Sequence, residues 1–145
     1  MEQRISLMTL GVSDLKKSRA FYDSLGWKTA SEDMAEEIVA YDLNNMTLAL
    51  YPFDKLMADA KLTFEKPLHS AVTIAYNVRT EDEVDSILAE AVKAGGMLVK
   101  AGEKVFWGGY SGYFADPDGH LWEVAHNPMA PLGPDGEFQW KGCTA

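Results

Sequence analysis

GYFADPDGHLWEVAHNP, residues 112–128, reads as two strands joined by a chain reversal. The strands are Gly112–Ala115 and Leu121–His126, and Asp116-Pro117-Asp118-Gly119 has the chemistry of the turn between them. Proline presets φ, aspartate hydrogen-bonds its own backbone, and glycine accepts a positive φ at no steric cost. Side chains alternate along a strand, so Glu123 points away from the face that carries Trp122 and Val124. His126, three residues further on, falls on that opposite face as well. An apolar strand with one carboxylate in its middle is the feature to explain.

Upstream of this hairpin the pattern is β, α, β. Val72, Ile74, Tyr76 and Val78 alternate with Ala71, Thr73, Ala75 and Asn77, which predicts a strand. Thr80-Glu81-Asp82-Glu83 is a capping box, in which threonine caps the amides and the glutamate three residues on reaches back. The helix it opens carries Val84, Ile87, Leu88, Ala91 and Val92 at helical spacing, and Gly95-Gly96 ends it. A strand follows at Met97–Lys100. Residues 69–128 thus spell β, α, β, β, β.

The same order occurs once before, over residues 5–53. Ile5–Val12 alternates as a strand, Ser13 or Asp14 caps a helix with Leu15, Ala20, Phe21 and Leu25 as its stripe, and Gly26 stops it. Short strands are expected at Lys28–Ala30, Ile38–Leu43 and Thr47–Tyr51, with Asn44-Asn45 as the last turn. Such repetition predicts an α+β fold of two βαβββ modules. Side by side they would make a curved, cup-shaped mixed sheet with the helices on its outer face. Residues 54–67 read as a polar linker with room for one helical turn. Residues 129–145 read as an irregular Gly/Pro-rich tail that Phe138 and Trp140 would pin to the body or to a neighbouring subunit.

Composition narrows the function classes. A hydrophobic share of 47% in 145 residues is enough for a real core. No apolar run approaches the roughly 20 residues of a membrane span, and the first residues lack the pattern of a secretory signal. A single cysteine, Cys143, forms no internal disulfide, which favours a reducing compartment and a cytoplasmic location. The net charge of −9 repels phosphate backbones and anionic headgroups, so neither nucleic acid nor membrane is an expected partner.

GVSDLKKSRAFYDSLGW (residues 11–27) and GYFADPDGHLWEVAHNP (112–128), lying at opposite ends of the duplicated pattern, resemble the vicinal-oxygen-chelate (glyoxalase/bleomycin-resistance/dioxygenase) superfamily. The resemblance covers about residues 5–128. It implies one domain over 1–145, with module one at about 5–53 and module two at about 69–128. It also implies homodimers and a cup whose floor holds a divalent metal in some members and only a bound compound in others. The fold by itself does not choose among the family's isomerase, lyase, dioxygenase and thiol-transfer chemistries. Carried onto this sequence, the family's ligand positions fall near Leu7, Ala49, Ala71 or Thr73, and Glu123. Of these only Glu123 is a competent ligand, and a catalytic ion usually needs three. No metal or other cofactor is therefore expected. A rearranged site built from His69 and Glu123 is the alternative, because His69 shares parity with Ala71 and Thr73.

The aromatic segment Phe106–Tyr113, rich in glycine, supplies candidate ligand contacts. Trp107 and Tyr110 offer large surfaces, each with a polar handle, and Tyr51 and Phe53 leave the matching strand of module one. Glu123 is the candidate general base or ligand acceptor, or else a structural carboxylate. No phosphate loop, paired-cysteine zinc motif or nucleophile elbow is present. The leading expectation is a metal-independent protein binding a small molecule in its cup, with Tyr51, Trp107, Tyr110 and Glu123 as contacts. Next comes a metal-dependent lyase, isomerase or dioxygenase-like enzyme with a rearranged site, and third an accessory subunit.

Overall fold

A computed structural model describes residues 3, 5–61 and 72–143. The chain forms two compact units, Met1–His69 and Ser70–Ala145. Each contains a mixed sheet, of three strands in the first and four in the second, and the described residues include three α-helices. The fold is α+β, in keeping with two βαβββ modules.

In the first unit β1 (Leu7–Val12) runs parallel to β3 (Met46–Pro52), which pairs antiparallel with β2 (Val39–Leu43), giving the order β1-β3-β2. The register puts Leu10, Val12, Val39, Tyr41, Leu48 and Leu50 on one face, all of them buried. Helix α1 (Leu15–Ser24) covers that face with Phe21 and Tyr22, the Tyr22 ring lying 5.8 Å from Tyr41. Burying each such side chain contributes roughly 1.5–3 kcal/mol. The N-cap is Asp14, whose carboxylate accepts from the Lys17 amide at 3.0 Å. The buried stripe differs from the expected one: Ser18 and Tyr22 are inside and Ala20 is exposed. Ser18 fits there because its hydroxyl donates back to the Asp14 carbonyl at 2.9 Å.

The strand expected at Lys28–Ala30 does not form. The Ala30 amide bonds to the Ala40 carbonyl at 2.7 Å, but Thr29 and Ser31 then intervene. Thr29 donates to the Ala40 carbonyl, while the Ser31 hydroxyl donates to the Ile38 carbonyl and accepts from the Ala40 amide. Side-chain hydroxyls thus take the bonds that a ladder would have used. A 3-10 turn at Glu32–Met34 follows. The single helical turn expected in the linker is a seven-residue helix, α2 (Phe53–Asp59), which lies over the other face of the sheet. A Cβ on Gly11 would come within 2.7 Å of the Phe53 ring, so glycine there admits the helix.

In the second unit the strand order is β4-β7-β6-β5, with β4 (Thr73–Val78) parallel to β7 (Leu121–His126) and the rest antiparallel. Helix α3 (Glu81–Lys93) starts at the full capping box of Thr80 and Glu83 and buries Val84, Leu88 and Ala91. Leu88 packs over Gly112 of β6 (Tyr110–Ala115), where an added Cβ would lie 2.5 Å from its methyl and 2.8 Å from the Lys100 carbonyl. Phe114 and Trp122 stack on the same side at 6.0 Å. The 116–119 turn is held by Asp116, whose carboxylate accepts from the amides of Asp118 and His120 at 2.9 Å each.

Strand β5 (Met97–Lys104) is twice its expected length, and β6 begins two residues early. The connection expected between these strands, residues 101–111, therefore contracts to a tight hairpin at 105–109, where Gly108 takes φ +93. Residues 129–143 form turns without helix or strand. Phe138 and Trp140 are both exposed on the chain itself, and the segment is tied to the body by the Arg79 guanidinium, which donates to the carbonyls of Gly133 (2.8 Å) and Pro134 (3.1 Å). No described helix is long and apolar enough to cross a membrane.

Candidate functional site

The chemistry of the second unit gathers on the sheet face opposite α3, and two irregularities in β5 put it there. Leu98 pairs with Phe114, Lys100 with Tyr113, and Glu103 with Ser111. Strand β5 thus spends five residues where β6 spends three, and two β-bulges absorb the excess. Because side chains alternate, the first bulge turns Lys100 from the face of Leu98 to that of Tyr113. The second keeps Glu103 on that face, although a regular strand would place it opposite Lys100. Bulges of this kind commonly re-aim side chains beside functional sites.

On β7, Glu123 stands opposite Tyr113 on one side and beside Ala75 of β4 on the other. Glu103, Lys100, Tyr113 and Glu123 therefore form a row across three strands. Lys100 Nζ lies 2.9 Å from Glu103 Oε1 and 5.8 Å from the centre of the Tyr113 ring, within cation–π range. The Tyr113 phenol is pushed above its ordinary value, first by desolvation, then by the charge of Glu123 and the hydrogen bond between them. Small residues surround the row: Ser111 and Ala125 are buried, and Thr73 and Ala75 are exposed. The arrangement presents an acceptor, an aromatic surface with a hydroxyl, and a cation.

Glu123, singled out from the sequence, is half-buried in this row. Trp122 and Val124, its strand neighbours, do not enclose it, since both face α3. Tyr110 is placed elsewhere. It pairs with His126 and shares the α3 side with Gly112, and its phenol bonds both carboxylate oxygens of Asp85 at 3.1 Å. Burial, then Asp85, raises its pKa. Tyr110 and Glu123 thus lie on opposite sides of one sheet. Trp107 sits half-exposed in the hairpin with its indole over Gly109. Tyr51 belongs to the first unit, pairs with Gly11, and has its phenol beside Asp59 of α2; desolvation and then that carboxylate raise its pKa. Phe53 is spent on packing over Gly11.

Tyr113 and Lys100 were not among the expected contacts. Tyr113 could have been found, because its parity relative to Glu123 follows once the hairpin is registered. Lys100 could not, because a bulge decides its face.

Among the described residues, the donors around Glu123 do not make a set that fits a divalent ion. Its ladder neighbours are Ala75 and Tyr113, and Thr73 is one pleat away. Leu7 and Ala49 share a face of the first sheet, with Ala49 fully buried, and offer no donor atom. Among the described residues no group of three His, Cys, Asp or Glu is placed to hold a metal. His69 and Ala71 lie outside the described residues. His126 faces away from Glu123, with Nδ1 3.4 Å from the Val78 carbonyl. A hollow of about 280 Å³ in the first unit, lined by Arg19 and the acidic stretch Glu32–Glu37, is poorer in chemistry. Arg19 there is already paired with Asp23 and Glu32.

Comparison with known proteins agrees with this architecture. The sequence profile of the Glyoxalase/Bleomycin resistance protein/Dioxygenase superfamily matches residues 4–124. A glyoxalase-related enzyme from Fulvimarina pelagi is 35% identical with a TM-score of 0.89, over 97% of this chain and 100% of that one. A hypothetical protein of S. aureus is 28% identical with a TM-score of 0.74, over 88% and 95%. A lactoylglutathione lyase from Agrobacterium tumefaciens shares the fold at 21% identity and a TM-score of 0.66, over 88% and 96%.

Proposed function

The chain belongs to the glyoxalase/bleomycin resistance protein/dioxygenase superfamily, and from that premise we propose that it binds a small molecule on the second unit's sheet face, against Tyr113 and Glu123, without a metal. The observation that carries the reading is the Tyr113–Glu123 pair itself. It is a carboxylate and a phenol directly opposite each other on a face with small neighbours, in a family whose members use that strand for ligands. The donor set around Glu123 supports a metal-free site, because one carboxylate cannot hold a catalytic ion. Glu123 then acts as the acceptor for a ligand hydroxyl or amine, and Tyr113 supplies an aromatic floor.

The test is a melting-temperature screen of a small-molecule library, repeated on Glu123→Ala. A bound compound raises the melting point by mass action. The response is expected to disappear in the variant, and a response unchanged by the substitution would refute the reading.

The second reading, an enzyme with Glu123 as general base, is favoured by one feature. The phenol beside the carboxylate could pass a proton to or from a ligand at that oxygen. Turnover of a bound compound, lost in Glu123→Gln with binding retained, would establish it. We also propose a cytoplasmic homodimer. In support, β5 is an edge strand with Met97, Leu98 and Val99 exposed, and such an edge needs a cover. A monomer by light scattering would refute that assembly.

A further inference from the structure

We propose that Lys100 is the anion anchor of this site and that Glu103 fills it as an internal stand-in for a ligand carboxylate. The ligand would then carry a carboxylate at one end and a hydroxyl or ammonium donor at the other. The inference rests on the reading of the Tyr113–Glu123 face as the binding face and deepens it.

Three observations carry it. First, two bulges within six residues of β5 interrupt its ladder, and their joint effect is to aim one cation and one carboxylate at the face of Tyr113. Second, the partner that Lys100 holds is a carboxylate at 2.9 Å, supplied by a side chain that is 62% exposed and so free to leave. Its contact shows what chemical group the ammonium accepts at that spot. Third, the row is ordered by strand: Lys100 on β5, Tyr113 on β6, Glu123 on β7. Tyr113 stands between the cation's strand and the acceptor's, so a flat molecule lying along the row reaches both. In a chain of net charge −9, an anionic ligand is repelled at long range, and a local cation must offset that repulsion.

The chemistry needs no covalent step. The ligand carboxylate replaces that of Glu103 on Lys100 Nζ, and Glu103 turns into solvent. At the far end the ligand's O–H or N–H donates to a Glu123 oxygen. An exposed ion pair is weak, so Glu103 tunes affinity rather than blocking the site.

The experiment titrates the full-length chain with 4-hydroxybenzoate, and with benzoate and phenol as single-ended controls, by calorimetry or amide-shift NMR. Glu103→Gln keeps the shape and removes the competing charge. It is expected to tighten 4-hydroxybenzoate and benzoate by up to about fivefold and to leave phenol unchanged. Lys100→Gln should reduce 4-hydroxybenzoate to the affinity of phenol. Glu103→Ala serves as a second variant with the same expected direction. Equal affinity of the carboxylates for the parent chain and both Glu103 variants would overturn the proposal. So would a Lys100→Gln chain that binds them as the parent does, or no binding in the millimolar range by any of these chains. If library compounds lose their effect in Glu123→Ala but not in Lys100→Gln, the binding face stands and only the anchor falls. If Glu123→Ala changes nothing, the face itself is wrong.

Discussion

Tyr113 and Glu123 stand directly opposite each other in the β6–β7 ladder, on the face turned away from α3, and the nearby carboxylate adds to the desolvation that raises the phenol's pKa. Three residues earlier on the same strand, the Tyr110 phenol donates to Asp85 on the other face. Two tyrosines three residues apart thus serve the two sides of one sheet, one joined to the helix and one to the site.

Replacing Tyr113 with Phe separates those roles. The substitution keeps the ring and removes the hydroxyl from a site only partly shielded from water. Stability should change by less than about 1 kcal/mol in urea unfolding, while the ligand-induced rise in melting temperature falls. A large stability loss with an intact ligand response would reverse the assignment.

Alkaline pH should destabilise the chain. Tyr41, Tyr51, Tyr110 and Tyr113 all have phenols raised above the ordinary value of 10.0, each chiefly by desolvation. A raised folded value favours the neutral form, so the stability it contributes is complete below about pH 10 and is lost as pH rises through the folded values. The melting temperature is expected to hold to about pH 10 and then drop. Tyr41, buried in the first core with its hydroxyl 3.0 Å from Asp23 Oδ1, should dominate. In Tyr41→Phe the drop should be shallower, from a starting stability lower by about 1–2 kcal/mol.

Gly112→Ala tests how packing sets the bulges. The new methyl would meet Leu88 of α3 and the Lys100 carbonyl together. Relief requires α3 or β5 to move, at a cost of about 1–3 kcal/mol in denaturant unfolding. Because Lys100 sits in the displaced strand, carboxylate binding should weaken along with stability. Stability unchanged from the parent chain would show that the close approach is not a constraint.

Divalent ions should leave the melting temperature unmoved. Nickel, cobalt, zinc, manganese and iron(II), added to chelator-treated protein, are expected to give no stoichiometric binding and no shift. A specific ion at one per chain would favour the alternative of a rearranged site drawing on His69 and Glu123.

Much of the fold was legible because its signals are local. The capping box Thr80/Glu83, the Asp14 cap and the Asp116–Gly119 turn act over four or five residues, and each formed where its chemistry placed it. Parity along β7 put Glu123 and Trp122 on opposite faces from the sequence alone. The short segment Lys28–Ala30 misled because the hydroxyls of its own Thr29 and of Ser31 just beyond it compete for ladder bonds, and the winner depends on where residues 38–40 arrive.

For the candidate site the division is sharper. The sequence by itself determined that the chain repeats a βαβββ pattern, that it falls in this superfamily, and that a lone carboxylate sits mid-strand at Glu123. Only the tertiary structure decided which charged groups join that carboxylate and the tyrosine opposite it. Asp85 of α3 engages Tyr110 on the helix side, and Lys100 came to the site because β5 bulges against β6 between Leu98 and Lys100. The face a residue occupies in a bulged strand depends on its pairing with another strand and on the helix packed behind, contacts that no local spacing encodes.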